Sequence, residues 1–130
     1  MPALNFMKQF VEAVESGEKK QTVRAHRKDN RPHCKVGDTL KLYTGMMHKS
    51  CRLLDEVKVT AVRSVKITQT SMFLDGNLLP NSIFHRDQLE QTDNEFAEAD
   101  GFDSFEAMSD WFQKAHGLPF EGVVIEWDAL

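Results

Sequence analysis

The strictest constraint in the sequence is a side-chain parity that holds from Val57 to Ile67. Val57, Val59 and Ala61, then Val65 and Ile67, fall on one face of an extended chain. A slip of one residue would turn all of them to the other face, so the run predicts one long bent strand rather than two short ones. Other segments share its period. Val36-Gly37-Asp38 signals a turn, after which Leu40 and Leu42 alternate with Thr39, Lys41 and Tyr43. The segment Lys20 to Ala25 has Gln21 and Val23 on one face and Lys20, Thr22 and Arg24 on the other. Phe73 to Leu79 predicts a hairpin turning at Asp75-Gly76. The closing run Gly122 to Trp127 is apolar on both faces, which predicts a centrally paired strand.

Helical spacing occurs in three places. Leu4, Met7, Val11 and Val14, with Phe6 and Phe10 beside them, predict a helix over 5–16 that Gly17 stops. Thr92 with Glu95 forms a capping box, opening a short helix that carries Phe96, Ala97, Glu98 and Asp100 up to Gly101. Asp103 with Glu106 predicts a second box, followed by a core stripe of Phe105, Met108, Phe112 and Ala115 and a stop at Gly117. Residues 80–91 are polar and carry no clear period. Trp111 and Trp127 belong to the apolar patterns and are expected in the core. The order is α, several β, α, α, β with mostly short connections, which predicts an α+β domain with a small mixed or closed sheet.

A chain of 130 residues accommodates one domain over 1–130. No apolar run approaches the roughly 18 residues that span a bilayer. The first residues lack the pattern of a secretory leader, so no membrane association and a cytoplasmic location are expected. Cys34 and Cys51 are too few for a disulfide framework and are expected as free thiols. They could join His26, His33 or His48 on zinc, but neither a CxxC nor a paired-histidine spacing is present, so no metal and no cofactor are predicted.

The net charge of −4 conceals an asymmetry. Residues 1–66 hold 14 Lys and Arg against 7 Asp and Glu, a balance of +7, whereas residues 67–130 hold 2 against 13, a balance of −11. From 19 to 35 there are seven basic residues against Asp29 alone. This stretch can steer and hold a phosphate-bearing ligand; equally, the two halves can neutralise each other. Lys19 beside Thr22 and Arg24 has the composition of an activated hydroxyl nucleophile, while the same lysines can be solvated charges at a strand entry. Arg24, Arg27, Lys28 and Arg31 suit phosphate or base contacts. Tyr43, at a strand end before Gly45, can stack a base or serve as a strand aromatic. The acidic stretch from Asp87 to Asp110 is expected to be helix caps and a solvated face.

Taken together, Gly17, Lys19, Thr22 and Arg24, then Gly37 and Asp38, then Glu98, Asp100, Gly101 and Phe102, and the strand ending at Trp127 resemble the ASCH domain, a branch of the PUA-like superfamily. The resemblance covers nearly the whole chain. It implies a PUA-like small β-barrel of about five to six mostly antiparallel strands, with an N-terminal helix and two later helices packed on it. It also implies a basic cleft for RNA or a nucleoside or nucleotide. Some small members are hydrolases, either ribonucleases or amidohydrolases acting on N4-acetylcytidine. In the amidohydrolase branch a Lys and a Thr act with a Glu, and these positions fall on Lys19, Thr22 and Asp100. Here Asp replaces Glu, which shortens the reach by one methylene; Glu98 is the other carboxylate available. The expected function is RNA or nucleotide binding through Lys19, Thr22, Arg24, Arg27, Lys28, Arg31 and Tyr43. The alternatives are a hydrolase built on Lys19, Thr22 and Asp100 or Glu98, and a protein-interaction domain.

Overall fold

The computed structural model describes residues 2–80 and 91–130. In chain order the elements are β1 (Ala3–Phe6), a 3-10 turn (Lys8–Phe10), α1 (Val11–Ser16), β2 (Gln21–Ala25), β3 (Thr39–Thr44), β4 (Arg52–Ile67), β5 (Met72–Leu74), β6 (Asn77–Leu78), α2 (Asp93–Ala99), α3 (Phe105–Ala115) and β7 (Phe120–Ala129). The fold is α+β. Among the described residues it has three α-helices and a mixed sheet of seven strands. No helix there is long and apolar enough to cross a membrane.

The pairing path runs β1-β3-β4-β5-β6, with β7 joined to β4 and to β2. Among the described residues this path does not close, so the expected barrel closure is not found there, and seven strands replace the expected five or six. β1 lies parallel to β3, in register from Ala3 opposite Lys41 to Phe6 opposite Thr44; β3–β4, β4–β5 and β5–β6 are antiparallel.

Of the N-terminal helix expected over 5–16, only Val11–Ser16 is α-helical, preceded by the 3-10 turn Lys8–Phe10, and its first two residues, Asn5 and Phe6, belong to β1. Leu4 and Phe6 are buried while Ala3 and Asn5 are exposed, the alternation of an extended chain. Thr44 Oγ1 donates to the Phe6 carbonyl at 2.9 Å. Met7, placed on the helical stripe by its spacing, is 55% exposed, and Val14 is the one fully buried residue of α1. Pairing with β3 has overridden a spacing that fits both periods.

Elsewhere the parities hold. β4 is one strand, beginning five residues before Val57, and Val57, Val59, Val65 and Ile67 are buried along it. Asp75 and Gly76 both have positive φ, 51° and 81°, as a two-residue hairpin with the twist of its strands requires. β7 pairs on both sides, with β2 and β4. Thr92 and Glu95 form the full capping box of α2. The cap of α3 is Ser104, whose Oγ accepts from Ala107 N at 3.1 Å, one residue later than the expected Asp103 box, and Ala115 is exposed. β2 does not alternate, since Gln21, Thr22 and Val23 are all buried. Within the acidic stretch Asp93 and Asp100 are buried, so they do not belong to a solvated face, while Asp87 and Glu90 lie outside the described residues. The same holds for nearly all of the unassigned run 80–91.

The chain forms two compact units. The first comprises Met1–Thr22, His26–Val62 and Ile125–Leu130; the second comprises Val23–Ala25 and Arg63–Val124. In the first, Leu40, Leu42, Val57, Val59 and Ile125 are buried, and Phe6 meets Trp127 edge-on with ring centroids 6.0 Å apart. In the second, Phe112 lies 4.6 Å from Phe120 and 4.9 Å from a partly buried Trp111, the centre of a core that also takes in Val65, Met72, Phe96 and Met108. Asn94 Oδ1 accepts from Phe105 N at 2.7 Å, tying the start of α2 to the start of α3.

Gly122 is a packing requirement of the β2–β7 pair. A Cβ there would collide with the Arg24 carbonyl oxygen and come within 2.9 Å of the Phe120 ring, and a backbone atom cannot step aside as a side chain can. Gly122→Ala is expected to cost about 1–3 kcal/mol as an overpacking change. Urea denaturation checks this, since the midpoint should fall with the m-value unchanged.

Candidate functional site

Gly17 ends α1 in the left-handed region at φ 82°, its N–H donating to the Val14 carbonyl at 3.2 Å. Glycine adopts this conformation without the Cβ clash any other residue would meet. The chain then reverses, and Lys19 N donates to the Ala13 carbonyl at 2.9 Å. This reversal turns the Lys19 side chain inward. Its exposure is 2%, and Nζ stands 5.9 Å from the Phe6 ring centroid and 5.0 Å from that of Phe10, a cation–π setting on two aromatic rings. Thr22 follows at 5% exposure, with Gln21 buried before it.

Lys19 and Lys20 are adjacent and opposite in character. Lys20 is exposed, its Nζ 3.6 Å from Asp128, while its carbonyl accepts from Trp127 N at 3.0 Å. The reading of both as solvated strand-entry charges therefore holds for Lys20 alone. Sequence reasoning missed Gln21 as a buried polar neighbour, and it missed the two rings over Lys19. Phe6 and Phe10 were legible as apolar positions, but not as walls for an ammonium.

Six of the nine candidates belong to the first unit: Lys19, Thr22, Arg27, Lys28, Arg31 and Tyr43. Arg27, Lys28 and Arg31 are exposed, on a turn built around Asp29. Asp29 Oδ1 accepts from Arg31 N at 3.0 Å, Oδ2 accepts from Arg27 Nη2 at 3.0 Å, and Asn30 takes φ 61° at the bend. The Arg31 N–H and the Arg27 charge hold the Asp29 carboxyl below its ordinary range. Tyr43 is half-buried on β3. His26 is exposed and His33 half-buried.

Arg24, Glu98 and Asp100 belong to the second unit. Burial lowers the Arg24 pKa, and the Asp100 carboxylate works against that shift, so the two are electrostatic partners. Asp100, 3% exposed, caps the C-terminus of α2 and donates its N–H back into the last turn. Glu98 is exposed. Of the two carboxylates offered for acid chemistry, the buried one is thus the counter-charge of an arginine and the other faces solvent.

The turn before β3 is fixed by paired contacts. Gly37 N donates to Val59 O at 2.8 Å, and Val59 N to Asp38 O at 2.9 Å. Both cysteines are free, with Cys34 buried and Cys51 exposed. Among the described residues no group of three or more His, Cys, Asp and Glu side chains could hold a metal ion. Comparison with family models, with curated proteins and with solved structures finds no match to the chain.

Burial, with a smaller contribution from the Asp38 charge, pushes the Cys34 thiol up to about 11. A thiol that high is not a nucleophile at neutral pH. Since the folded pKa exceeds the ordinary 9.0, the unfolded chain releases the proton first as pH rises. The thiol's contribution to stability is therefore expected to fall from pH 9.0 to about 11 in the parent, and Cys34→Ser should make the decline over that interval shallower. Denaturant midpoints measured across that interval check the sign. At neutral pH a thiol reagent should modify Cys51 and spare Cys34.

Proposed function

We propose that the chain is an ASCH-type, PUA-like domain that binds RNA or a nucleotide through the first unit, with Lys28 and Arg31 as outer phosphate contacts. The observation that carries this reading is the exposed turn Arg27–Arg31, which presents three basic side chains on a backbone fixed by Asp29. A turn held in shape before binding loses less conformational freedom on contact with a phosphate backbone. Lys19 and Thr22, buried on the same unit, reach only a small group such as a base or ribose edge that enters the fold. Also in favour of the family reading, α1 stops at Gly17, the turn at Gly37-Asp38 leads into β3, and α2 closes at Asp100-Gly101. No observation favours hydrolysis over binding, since the buried carboxylate serves Arg24.

Asp29 adds a consequence of sign. It occupies Arg27 in the free protein, so Arg27 is already half neutralised, while Lys28 and Arg31 make no ion pair with a described side chain. Fluorescence anisotropy with a short single-stranded RNA over a salt series tests the reading. The parent should lose affinity as salt rises, and Lys28→Ala and Arg31→Ala should each reduce the slope of log K against log salt by about 0.7, the value for one contact on a single strand. Asp29→Asn keeps the acceptor for Arg31 N and frees Arg27, so it is expected to tighten binding and steepen the slope. Affinity indifferent to salt, or unchanged in both alanine variants, would overturn the proposal.

A further inference from the structure

The loop after β3 gathers soft donor atoms. Residues 46–51 read Met46-Met47-His48-Lys49-Ser50-Cys51, so two thioethers, an imidazole and a thiol fall in one short segment that carries no carboxylate. None of them is used by the proposed RNA contacts.

Two successive β-turns fix the backbone. His48 N donates to the Gly45 carbonyl at 3.0 Å, and Cys51 N donates to the His48 carbonyl at 3.1 Å. Met46 N donates to Asn5 Oδ1 at 3.0 Å, which ties the loop to β1. The loop also closes tightly on itself, since a Cβ on Gly45 would stand 2.9 Å from Ser50 Oγ. Met47 takes φ 68° at the third position of the first turn, a conformation that favours glycine or asparagine, and it is fully exposed.

His48 and Cys51 are the first and last residues of the second turn, an arrangement that holds two Cα atoms within about 7 Å. The C-x-x-C pairs of metal-binding turns have the same spacing. Both side chains are exposed, and among the described residues neither is engaged in a hydrogen bond, ion pair or ring contact; Cys51 is a free thiol. Two ligating groups are therefore available on a backbone already held in place.

The donor set decides the metal. Hard cations such as magnesium and calcium need several oxygens, which this segment does not supply. A structural zinc needs four ligands, and among the described residues no three His, Cys, Asp or Glu side chains stand together. Thiolate and thioether sulfur select Cu(I), imidazole suits copper as well, and Cu(I) is satisfied by fewer ligands than zinc.

We infer that the segment 46–51 binds one Cu(I) ion, with the Cys51 thiolate and the His48 imidazole as the chelating pair and the Met47 thioether completing the set. As the sulfur–copper bond forms, the thiol proton passes to solvent and copper keeps its oxidation state. Because the turns are already formed, little backbone freedom is lost on binding.

Anaerobic competition of the full chain against the chromogenic Cu(I) chelator ferrozine, with ascorbate to keep copper reduced, tests this. One equivalent of copper is expected to pass from the chelator to the protein. Cys51→Ser and His48→Gln should each weaken binding by about a hundredfold and Met47→Leu by about tenfold, set against the roughly 10–100-fold that groups supporting a metal's ligands are worth. Cys34→Ser should bind as the parent does, because that thiol is buried. The three positions on the loop are exposed, so their variants should melt with the parent. Failure of copper to leave the chelator would overturn the inference. So would parent-like binding in both His48→Gln and Met47→Leu, since a thiol acting alone would then suffice, or a loss in Cys34→Ser equal to that in Cys51→Ser.

Discussion

The fold depends on the hydrogen-bonded pairing of the long strand β4, whose side-chain parity holds from Val57 to Ile67. This strand runs from Arg52 to Ile67, takes β3 along its first half, β5 along its last residues, and β7 as well. Because side chains alternate strictly, one register fixes the faces of Val57, Val59, Val65 and Ile67 together. The single irregularity in the β3–β4 ladder falls between Leu42 and Tyr43, next to the turn that follows β3. There the strict alternation of β3 ends, and Tyr43 and Thr44 are half-buried.

What was legible in the sequence was what parity and caps encode. The length of β4, the Asp75-Gly76 hairpin, the Thr92–Glu95 box and the central pairing of β7 follow from local chemistry that tertiary contacts do not oppose. What was not legible followed from non-local pairing. Leu4 and Phe6 fit a helical stripe with Val11 and Val14 just as well as they fit a strand, and only a partner decides. β3 is that partner, nearly forty residues away, through the register Ala3–Lys41 to Phe6–Thr44. The shift of the α3 cap from Asp103 to Ser104 is of another kind: both residues are good caps, and Asn94 settles the start by accepting from Phe105 N.

The site divides in the same way. Sequence put Lys19, Thr22 and Arg24 in one motif, and the backbone explains the spacing: a left-handed Gly17, a reversal at Lys19, then a strand from Gln21. It did not separate Lys19 from Lys20, because identical side chains one residue apart differ only in where the turn points them. An ammonium buried against Phe6 and Phe10 is costly to desolvate unless the surroundings answer it, so aromatic faces there have an electrostatic as well as a packing role.

The basic excess of the first half is smaller in three dimensions than in the sequence. Lys20 with Asp128, Arg27 with Asp29, Lys41 with Glu56 and Arg52 with Glu15 are local ion pairs, each between exposed or half-exposed groups. Such pairs contribute little to stability, but they do set which cations are available, since a paired guanidinium must give up one anion to take another. A count of +7 over residues 1–66 therefore overstates the field a polyanion meets. The turn at Asp29 makes the point on a scale of five residues. Of its three cations, among the described residues, Arg27 alone makes an ion pair, and the carboxylate that answers it is also the group that fixes the backbone presenting the other two. Shape and charge at this turn are thus set by one side chain.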